Sequence, residues 1–443
     1  MRHKASRLVR LLLVILGTSV SIFSSAQNNT KSPYSRFGLG DVAFSGLAQN
    51  SAMGQTGTGI RRSNMLNTLN PASYGNLSFT IFETGALLDQ GNIADKSQSQ
   101  FFRNAAYAYL NLAFPVSPKL GWGASFGLQP VSHVGYNINS YDWQGDSLAT
   151  LFVYNGRGGL SKFYMGHGFR LWSKSRTDNA KNKELLHELN FGFNVNYVYG
   201  QLRIGKAAYF YDTTSSTNNY KEERTRYIGD VNYDLGLQYT TRLRNKEYLT
   251  IGATFAPSAS LSGEQIMFAR SLYPGSLDNT KDTIVYEEDG EAGKLIMPAA
   301  WSAGLSWQKE DKWMLALDVK GQNWKQYELF GASDSMQNSF SVNLGGMWIP
   351  DASAIKKRWK KAEYRAGLRY ANTNLLVRGE PIKEMGVSLG VGMPVFRQRS
   401  KINFTVEYYK RGTTNNNLLQ EDHIRFILGL SLGEKWFNRI KID

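Results

Sequence analysis

The stretch LNFGFNVNYVY, residues 189–199, places an apolar or aromatic side chain at every second position. Asn and Gly fill most positions between them, so one face of an extended chain is apolar and the other is small and polar. Alternation with a period of two is the pattern of a β-strand. The stretch also has about the 9–11 residues that a tilted strand needs to cross a bilayer. It therefore predicts one strand of a membrane barrel whose small polar residues face a lumen.

Similar alternation recurs along the chain and predicts an all-β fold, a fourteen-stranded antiparallel transmembrane β-barrel. The even number places both ends of the barrel on the periplasmic side. A secreted all-β protein is the alternative. The predicted strands are 77–88, 103–115, 119–138, 159–172, 188–206, 227–242, 247–269, 296–308, 312–329, 338–350, 362–376, 384–396, 401–412 and 422–433. The connections expected to be outer loops, because they are usually longer and polar, are 89–102, 139–158, 207–226, 270–295 and 413–421.

The first 26 residues differ from everything that follows. Four basic residues precede an apolar run at 11–23, and small residues stand at 24–26. This is the pattern of a secretory signal peptide with its cleavage site. We therefore expect four parts in the chain. They are a signal peptide (1–26), an N-terminal plug or hatch (27–76), the transmembrane barrel (77–435) and a periplasmic C-terminal tail (436–443).

The composition excludes several classes of function. Cysteine is absent and the five His are scattered, so we expect no thiol nucleophile, no metal site and no cofactor. The His residues form no recognisable nucleophile motif, so we expect no catalytic residue and no enzyme. Part of the net charge of +15 lies in predicted periplasmic turns at 356–361 and 397–401, where it suits anionic lipid headgroups or plain solvent. Because this charge is divided among turns, nucleic-acid binding is not expected.

Residues 27–76 show neither strand alternation nor a helical stripe, and they are rich in Gly, Ser and Asn. They form either an exported tail or a plug folded back into the lumen. The glycine content favours the plug, because glycine lets two backbones approach closely. Pro71 fixes its own φ and biases Asn70 toward extended backbone, where the segment enters the first strand.

Several motifs in this segment and beyond it resemble the FadL/TodX family. Gly38-Leu39-Gly40, Ser45-Gly46 and Asn70-Pro71-Ala72 look like its N-terminal hatch, and the blocks 251–263, 297–307, 317–324 and 364–370 resemble it in the same order. The stretches 408–414 and 417–421 and the pair Trp436-Phe437 look like a Bacteroidota variant. Members are outer-membrane transporters of long-chain fatty acids and aromatic hydrocarbons. The resemblance implies hatch positions at Gly38, Gly40, Asn70, Pro71 and Ala72.

Pro130 interrupts the alternation of the third predicted strand, ahead of His133 and Gly135. A proline cannot donate a ladder hydrogen bond, so we expect a kink or bulge over 130–135. In the family that the sequence resembles, an inward kink of the third strand opens a side window into the bilayer. The resemblance thus implies a lateral gate at Pro130, His133 and Gly135, with a bulge that opens no passage as the alternative. Pro257 in the seventh strand is a competing break.

Four charged residues fall on the lumen phase of the later strands: Arg365, Arg369, Glu407 and Arg425. Arginine forms bidentate pairs with carboxylates, so these residues are candidates for holding the carboxylate of a ligand. The alternative is an internal ion-pair ladder that stiffens the barrel wall.

Together these features predict an outer-membrane channel for passive uptake of hydrophobic small molecules, with lateral exit through a kinked third strand. The ligands expected from the resemblance are long-chain fatty acids or aromatic hydrocarbons. The alternative is a non-transporting structural barrel, an accessory subunit of an outer-membrane assembly or secretion complex. Expected partners are the small-molecule ligand, outer-membrane lipids and, for the alternative, another outer-membrane protein. A continuous apolar pocket would favour transport, and a lumen filled by side chains would favour the structural role.

Overall fold

Fourteen antiparallel strands form the wall of a closed barrel in the computed structural model. The structure describes residues 30–44, 46–144, 147–177, 183–211, 218–244, 246–273, 280–334, 336–354, 357–395 and 400–435. The strands are β1 (Thr80–Ala94), β2 (Ser99–Ser117), β3 (Trp122–Gln144), β4 (Ser147–Thr177), β5 (Lys183–Phe210), β6 (Asn219–Arg244), β7 (Glu247–Ala256 and Ala259–Leu272), β8 (Thr280–Met297 and Ala300–Lys309), β9 (Trp313–Gln322), β10 (Ser339–Trp348), β11 (Glu363–Val377), β12 (Glu380–Val395), β13 (Ser400–Gly412) and β14 (Gln420–Glu434).

The wall closes because the last strand pairs with the first. Gln420 lies opposite Ala94 and Glu434 lies opposite Thr80, with an unbroken register between them. Two further strands of two residues each, Asp41–Val42 and Glu328–Leu329, are not members of the ring but pair with strands of it. The predicted all-β, fourteen-stranded barrel is confirmed. Thr80 and Glu434 lie at one end of the barrel. We call the other end, where Ala94 and Gln420 lie, the outer end.

Alternation along each strand sorts side chains to the two sides of the wall. In β5, Asn190 and Asn194 are buried inside the barrel, whereas Val195 and Tyr197 are 37% and 48% exposed on the outside. A bilayer suits this outer surface, because it is apolar and aromatic. The period-two pattern that decided the fold class therefore also fixes which residues reach the lumen.

The strands differ greatly in length, and four of the predicted outer loops are mostly strand. β4 has 31 residues, whereas β9 and β10 have 10 each. The predicted loops 89–102, 139–158, 207–226 and 270–295 are wrong over much of their described length, because the ladders continue there. Their polar residues indicate loops, but the aromatic and β-branched residues among them favour strands. Since about ten residues cross a bilayer, the long strands β3–β8 extend the wall beyond it at the outer end.

Prolines interrupt two neighbouring strands at the same height. β7 breaks at Pro257 and β8 breaks at Pro298, so that each strand runs in two segments. Proline has no N–H to donate to a ladder, which explains why pairing stops there. The break at Pro257 is one that the sequence predicts.

The N-terminal segment, residues 30–76, lies within the ring of strands. Asp318 of β9 accepts a hydrogen bond from the backbone N–H of Thr58 at 2.9 Å, and Gln238 of β6 donates to the carbonyl of Thr58 at 3.0 Å. None of the helices in the described residues is long and apolar enough to cross a membrane. The division of the chain into four parts stays a prediction. The short helices of the segment are Pro33–Arg36, Ala48–Ser51 and Pro71–Asn76.

The segment lies very close to the wall at Gly54. Its N–H donates to the hydroxyl of Ser388 in β12 at 3.0 Å, and its φ is +63°. A Cβ atom on Gly367 of β11 would lie 1.9 Å from the nitrogen of Gly54. Glycine is therefore required on both sides of this contact.

The connection between β9 and β10 covers the lumen at the outer end. Its residues Trp324, Tyr327 and Leu329 are buried against the inner faces of β3–β8, where Leu202 is one of their neighbours. Leu39 of the N-terminal segment belongs to the same apolar cluster. The outer mouth is therefore occupied by an apolar core rather than by an open channel.

Candidate functional site

The ladder between β2 and β3 ends at the pair Leu110–Leu128. Beyond that pair, β2 stays paired with β1 as far as Ser99, and β3 stays paired with β4. The facing edges, 99–109 of β2 and 129–144 of β3, are described throughout and are not paired with each other. We call this gap in the wall the seam.

Both strands are irregular where the seam begins. The β1–β2 register skips Ala108, and the β3–β4 register skips Val131. The second irregularity lies where Pro130 predicts one, because the proline cannot donate to the ladder. A bulge bends its strand and increases the local twist, so two bulges at one height separate the strands. No glycine or proline adjoins Ala108, and the sequence carried no signal for it.

Part of the free edge of β3 is occupied by the N-terminal segment. Asp41 pairs with His133 and Val42 pairs with Ser132 in antiparallel register. The two-residue strand Asp41–Val42 therefore takes the place that β2 leaves. This arrangement supplies backbone partners at a point where the wall has none.

Gly135, one of the three predicted gate residues, also contacts the N-terminal segment. Its N–H donates to the hydroxyl of Ser35 at 3.1 Å, and a Cβ atom there would lie 2.1 Å from the carbonyl oxygen of Thr30. Gly40 approaches β3 in the same way, since its Cβ would lie 2.2 Å from the carbonyl oxygen of His133. A larger residue at position 135 would displace the N-terminal segment as well as alter β3.

A cavity of about 280 Å³, the seam cavity, lies against the seam. It brings together residues that the sequence placed in two separate groups. The bulges, the predicted gate and the charged lumen all contribute to it. Lining residues include Tyr107, Ala108, Pro130, His133, Arg369 and Arg425.

Three of the four predicted lumen residues form one charged network beside this cavity. Arg425 lies 3.3 Å from Asp89 and 3.5 Å from Glu407, and Arg369 lies 3.1 Å from Glu407 and also contacts Glu384. Each guanidinium therefore has two carboxylate partners, as buried charges require. This geometry is that of an ion-pair ladder. Binding of a ligand carboxylate by these arginines stays a prediction.

Arg365 lies apart from that network. It pairs with Glu363, and its Nη1 donates to Asn403 at 2.9 Å. Glu363 also lies 2.8 Å from Lys401 and 2.9 Å from Arg62 of the N-terminal segment. Since none of these residues lines the seam cavity, the four candidates divide into two separate clusters.

Sequence reasoning missed a further group of charges that joins the seam to the lumen. Arg411 lies 2.6 Å from Glu421 and 2.9 Å from Asp41, and the ring of His423 lies 3.2 Å from Glu421 and 3.1 Å from Asp89. Arg411 thereby holds the N-terminal strand that pairs with β3. The sequence could have predicted these charges, because Glu421 and His423 share the lumen phase of β14 with Arg425, which was predicted.

The hatch residues Asn70, Pro71 and Ala72 fix the inner part of the N-terminal segment. The Asn70 amide donates to the carbonyls of Thr58 at 2.9 Å and Leu237 at 3.2 Å, and its oxygen accepts from the N–H of Ala72 at 3.0 Å. Pro71 is the first residue of a 3-10 helix, and Asn70 has extended backbone, with φ −144°. Asn70 is therefore both a helix cap and a link to β6.

The outer part of the segment is held by Gly38 and Tyr34. The N–H of Gly38 donates to Asp334 at 2.6 Å, and the hydroxyl of Tyr34 donates to the carbonyl of Leu419 at 2.5 Å. Burial, together with the nearby Glu421, raises the pKa of Tyr34 to about 12. The phenol is thus held in its neutral, hydrogen-bonding form.

Several solved structures share the fold of this chain. The toluene transporter TodX of Pseudomonas putida is 17% identical, with 90% of this chain and 100% of that chain covered and a TM-score of 0.56. The toluene transporter TbuX of Ralstonia pickettii is 13% identical, covering 88% and 99%, with a TM-score of 0.55. A FadL homologue of Pseudomonas aeruginosa is 11% identical, covering 90% and 100%, with a TM-score of 0.52.

These similarities confirm the resemblance to FadL/TodX proteins at the level of the fold, whereas the Bacteroidota branch stays a prediction. A comparison with curated proteins gives no significant match. The family model that matches the sequence is BamG, over residues 8–443. Because this match covers nearly the whole chain, the protein belongs to the BamG family and carries a FadL-type barrel.

Proposed function

We propose that the protein is an outer-membrane channel that passively admits hydrophobic small molecules and releases them sideways through the seam. Long-chain fatty acids and aromatic hydrocarbons are the ligand classes in view, because the structures that share the fold include toluene transporters and a FadL homologue. The observation that carries the proposal is the end of the β2–β3 ladder at Leu110–Leu128, beside a cavity lined from both strands. Backbone groups left unpaired in a bilayer are costly, so we infer that this gap serves a purpose.

The strand Asp41–Val42 is the gate in this proposal. On the outer side of the N-terminal segment lies a groove of about 820 Å³, lined by Phe37, Ile138 and Leu418 among others. Residues 30–44 separate this groove from the seam cavity, since members of that range line both. A ligand would pass from the groove to the seam when the strand leaves β3.

A thiol placed in the seam tests this route. The sequence has no cysteine, so Ala108→Cys introduces a single reactive site into the lining of the seam cavity. We expect alkylation with a bulky maleimide to lower uptake of radiolabelled oleate about tenfold, which corresponds to about 1.4 kcal/mol. The matched control is Ala366→Cys, which faces outward from β11. Equal uptake by alkylated and untreated Ala108→Cys protein would contradict the proposal.

The remaining sequence predictions belong to the same proposal. We propose that residues 27–76 act as a plug, fixed at Gly38, Gly40, Asn70, Pro71 and Ala72, and that the protein has no enzymatic activity. The signal peptide 1–26 and the tail 436–443 lie outside the described residues. Fractionation with the outer membrane and a mature N-terminus at Gln27 are the expected results. Recovery from the soluble periplasm would contradict them.

A second candidate is a structural barrel in an outer-membrane assembly or secretion complex, with another outer-membrane protein as partner. It is favoured by the occupied lumen and by the long strands β3–β8, which offer protein surface beyond the bilayer. The two candidate functions can be distinguished in a strain that lacks the protein. The strain is complemented with Ala108→Cys protein, which is then alkylated. Restored growth and outer-membrane composition without uptake would favour the structural barrel.

A further inference from the structure

The wall has a second interruption, at the proline breaks of β7 and β8. Residues 229–234 of β6 and 256–262 of β7 are all described, and they are not paired with each other. In β8 the break falls at Pro298 and Ala299. We call this second gap the notch. It lies on the other side of the barrel from β1 and β14, several strands away from the seam.

A cavity of about 420 Å³ lies at the notch and is lined from both sides of the wall. Phe255, Trp301 and Phe340 contribute from the outer side, where they are 45–49% exposed. Thr58 and Ser302 contribute from the lumen, where their hydroxyl oxygens lie 2.9 Å apart. Phe255, Trp301 and Phe340 each lie one residue from the end of a strand segment, so we infer that the cavity passes over these strand ends from the lumen toward the lipid-facing surface.

The lumen end of the notch cavity carries an ammonium group without a hydrogen bond. Lys162 Nζ lies 3.9 Å from Asp234 Oδ2, which is beyond hydrogen-bonding distance, and it has no other partner among the described residues. Asp234 Oδ2 instead accepts from the amide of Asn196 at 3.0 Å. The other lysine of the lining differs, because Lys320 Nζ donates to the carbonyl of Gln55 at 2.6 Å. An ammonium group has three donors to satisfy, so Lys162 suits an anionic oxygen from a ligand.

We propose that the notch binds a single-chain amphiphile with an anionic head group. The head lies at Lys162, and the chain extends between Phe255, Trp301 and Phe340 toward the bilayer. A pure hydrocarbon would give Lys162 no acceptor beyond Asp234 at 3.9 Å, whereas a fully polar ligand would leave the aromatic end of the cavity without an apolar partner. A carboxylate and a phosphate share the chemistry that Lys162 recognises. The notch cavity is distinct from the seam cavity, although Val42 lines both, and its occupancy does not require transport.

The test uses the purified full chain and two amphiphiles that carry a diazirine at the end of the acyl chain. One is a fatty acid and the other is a lysophosphatidylglycerol. After irradiation, we expect adducts on the peptides that contain Phe255, Trp301 or Phe340. Labelling by the fatty acid, by the phospholipid or by both supports the site and identifies the source of the head group. Labelling by neither, or labelling confined to β2 and β3, overturns the proposal.

Two variants test whether the adducts arise from an amphiphile bound in the notch cavity. Lys162→Gln removes the charge and is expected to lower the adduct yield about tenfold, as loss of a charge-assisted hydrogen bond does. Lys174→Gln, at an exposed position of the same strand, is the matched control and should leave the yield unchanged. An unchanged yield in Lys162→Gln would remove the proposed role of the lysine.

Failure of this proposal is distinguishable from failure of the proposed uptake route. Ala256→Phe fills the notch cavity, so it should abolish the adducts while oleate uptake through the seam continues. Alkylated Ala108→Cys should show the reverse, with uptake blocked and adducts retained. Heat-modifiable migration on gels verifies that both variants are folded. Loss of the notch adducts in alkylated Ala108→Cys would place the amphiphile in the seam cavity and overturn the proposal.

Discussion

The seam and the notch are both gaps that follow prolines in the barrel wall, yet they are filled differently. At the seam, the strand Asp41–Val42 pairs with β3, and paired charges surround the adjoining cavity. At the notch, no strand of the N-terminal segment replaces the missing pairing among the described residues, and the cavity has aromatic rings at one end and Lys162 at the other. The seam is therefore a gap with an occupant, whereas the notch is a gap with an open binding surface.

This difference indicates that a proline in a barrel strand is not by itself a gate. The proline removes one donor and weakens one ladder, and the residues that then face the gap decide its role. A gap filled by a displaceable strand can open and close. The notch cavity is lined by side chains of the wall and of the N-terminal segment, and no strand of the described residues occupies the gap, so it can hold a ligand without a strand moving aside.

The largest expected effect comes from deleting residues 27–76, which contribute to both cavities. Without this segment the lumen loses its contents, so we expect a closed barrel to become a conducting one. Conductance in planar bilayers measures the change, and heat-modifiable migration verifies folding. Unchanged conductance in a folded deletion variant would mean that the apolar core at the outer mouth closes the barrel on its own.

Arg411→Met is expected to loosen the strand Asp41–Val42 at the seam and so tests the seam apart from the notch. It removes the guanidinium from the buried Glu421 and the half-buried Asp41. Since Glu421 keeps His423 and Asp41 keeps Thr30 as partners, the expected cost is about 3 kcal/mol, the low end for a broken buried pair. We expect a lower midpoint of thermal unfolding and faster proteolysis of the N-terminal segment, with unchanged labelling at the notch. Arg378→Met is the control, because Arg378 is bonded to carbonyl oxygens on an exposed turn. Equal stability of the two variants would show that Arg411 does not hold the strand.

A reciprocal pair of proline substitutions tests whether the gaps are independent. Pro130→Val and Pro257→Val each restore one N–H donor, worth about 1 kcal/mol and hence about a fivefold change in the measured process. We expect Pro130→Val to lower oleate uptake and Pro257→Val to lower labelling at the notch. Gly135 is left unchanged, since a side chain there would strike Thr30. Parallel changes in both readouts would show that the gaps form one passage.

The smallest expected effect is a pH dependence at the outer anchor of the seam strand. Because the pKa of Tyr34 is raised to about 12, its contribution to stability is complete below pH ~10, the ordinary tyrosine pKa, and is lost as the pH rises toward 12. We expect proteolysis of the N-terminal segment to accelerate in that range. Tyr34→Phe lacks the bond to Leu419 and should start about 1 kcal/mol less stable, without this tyrosine's share of the pH dependence. Identical pH profiles would contradict the assignment.

Much of the barrel could be predicted from local pattern, because the period of two fixes both the strand and the face of each residue. Asn190 and Asn194 are inside for this reason, and so are Arg369 and Arg425. The lengths of β3–β8 could not be predicted, because polar residues near strand ends have the composition that is typical of loops. Strand propensity depends on pairing with a neighbour, which a local pattern does not contain.

The partners of the lumen charges required more than a pattern. Asp89 in β1 meets Arg425 in β14 because the wall closes in one register, and that register is set by every ladder between them. The pairing of Asp41–Val42 with β3 is equally non-local, since two residues give no periodicity. Pro130 predicted the bulge on the β3 side of the seam. The bulge at Ala108, on the β2 side, could not be predicted, because no glycine or proline adjoins it.

The central claim, that the strand Asp41–Val42 gates the seam, is tested most directly by a reversible lock. Val42 and Ser132 are directly opposed, and opposed residues in an antiparallel pair have Cα atoms about 4.5–5.5 Å apart, which a disulfide can span. The measurement is oleate uptake by the Val42→Cys, Ser132→Cys protein, oxidised and then reduced. We predict that oxidation stops uptake and that reduction restores it in the same sample. Equal uptake in the oxidised and reduced states would contradict the claim.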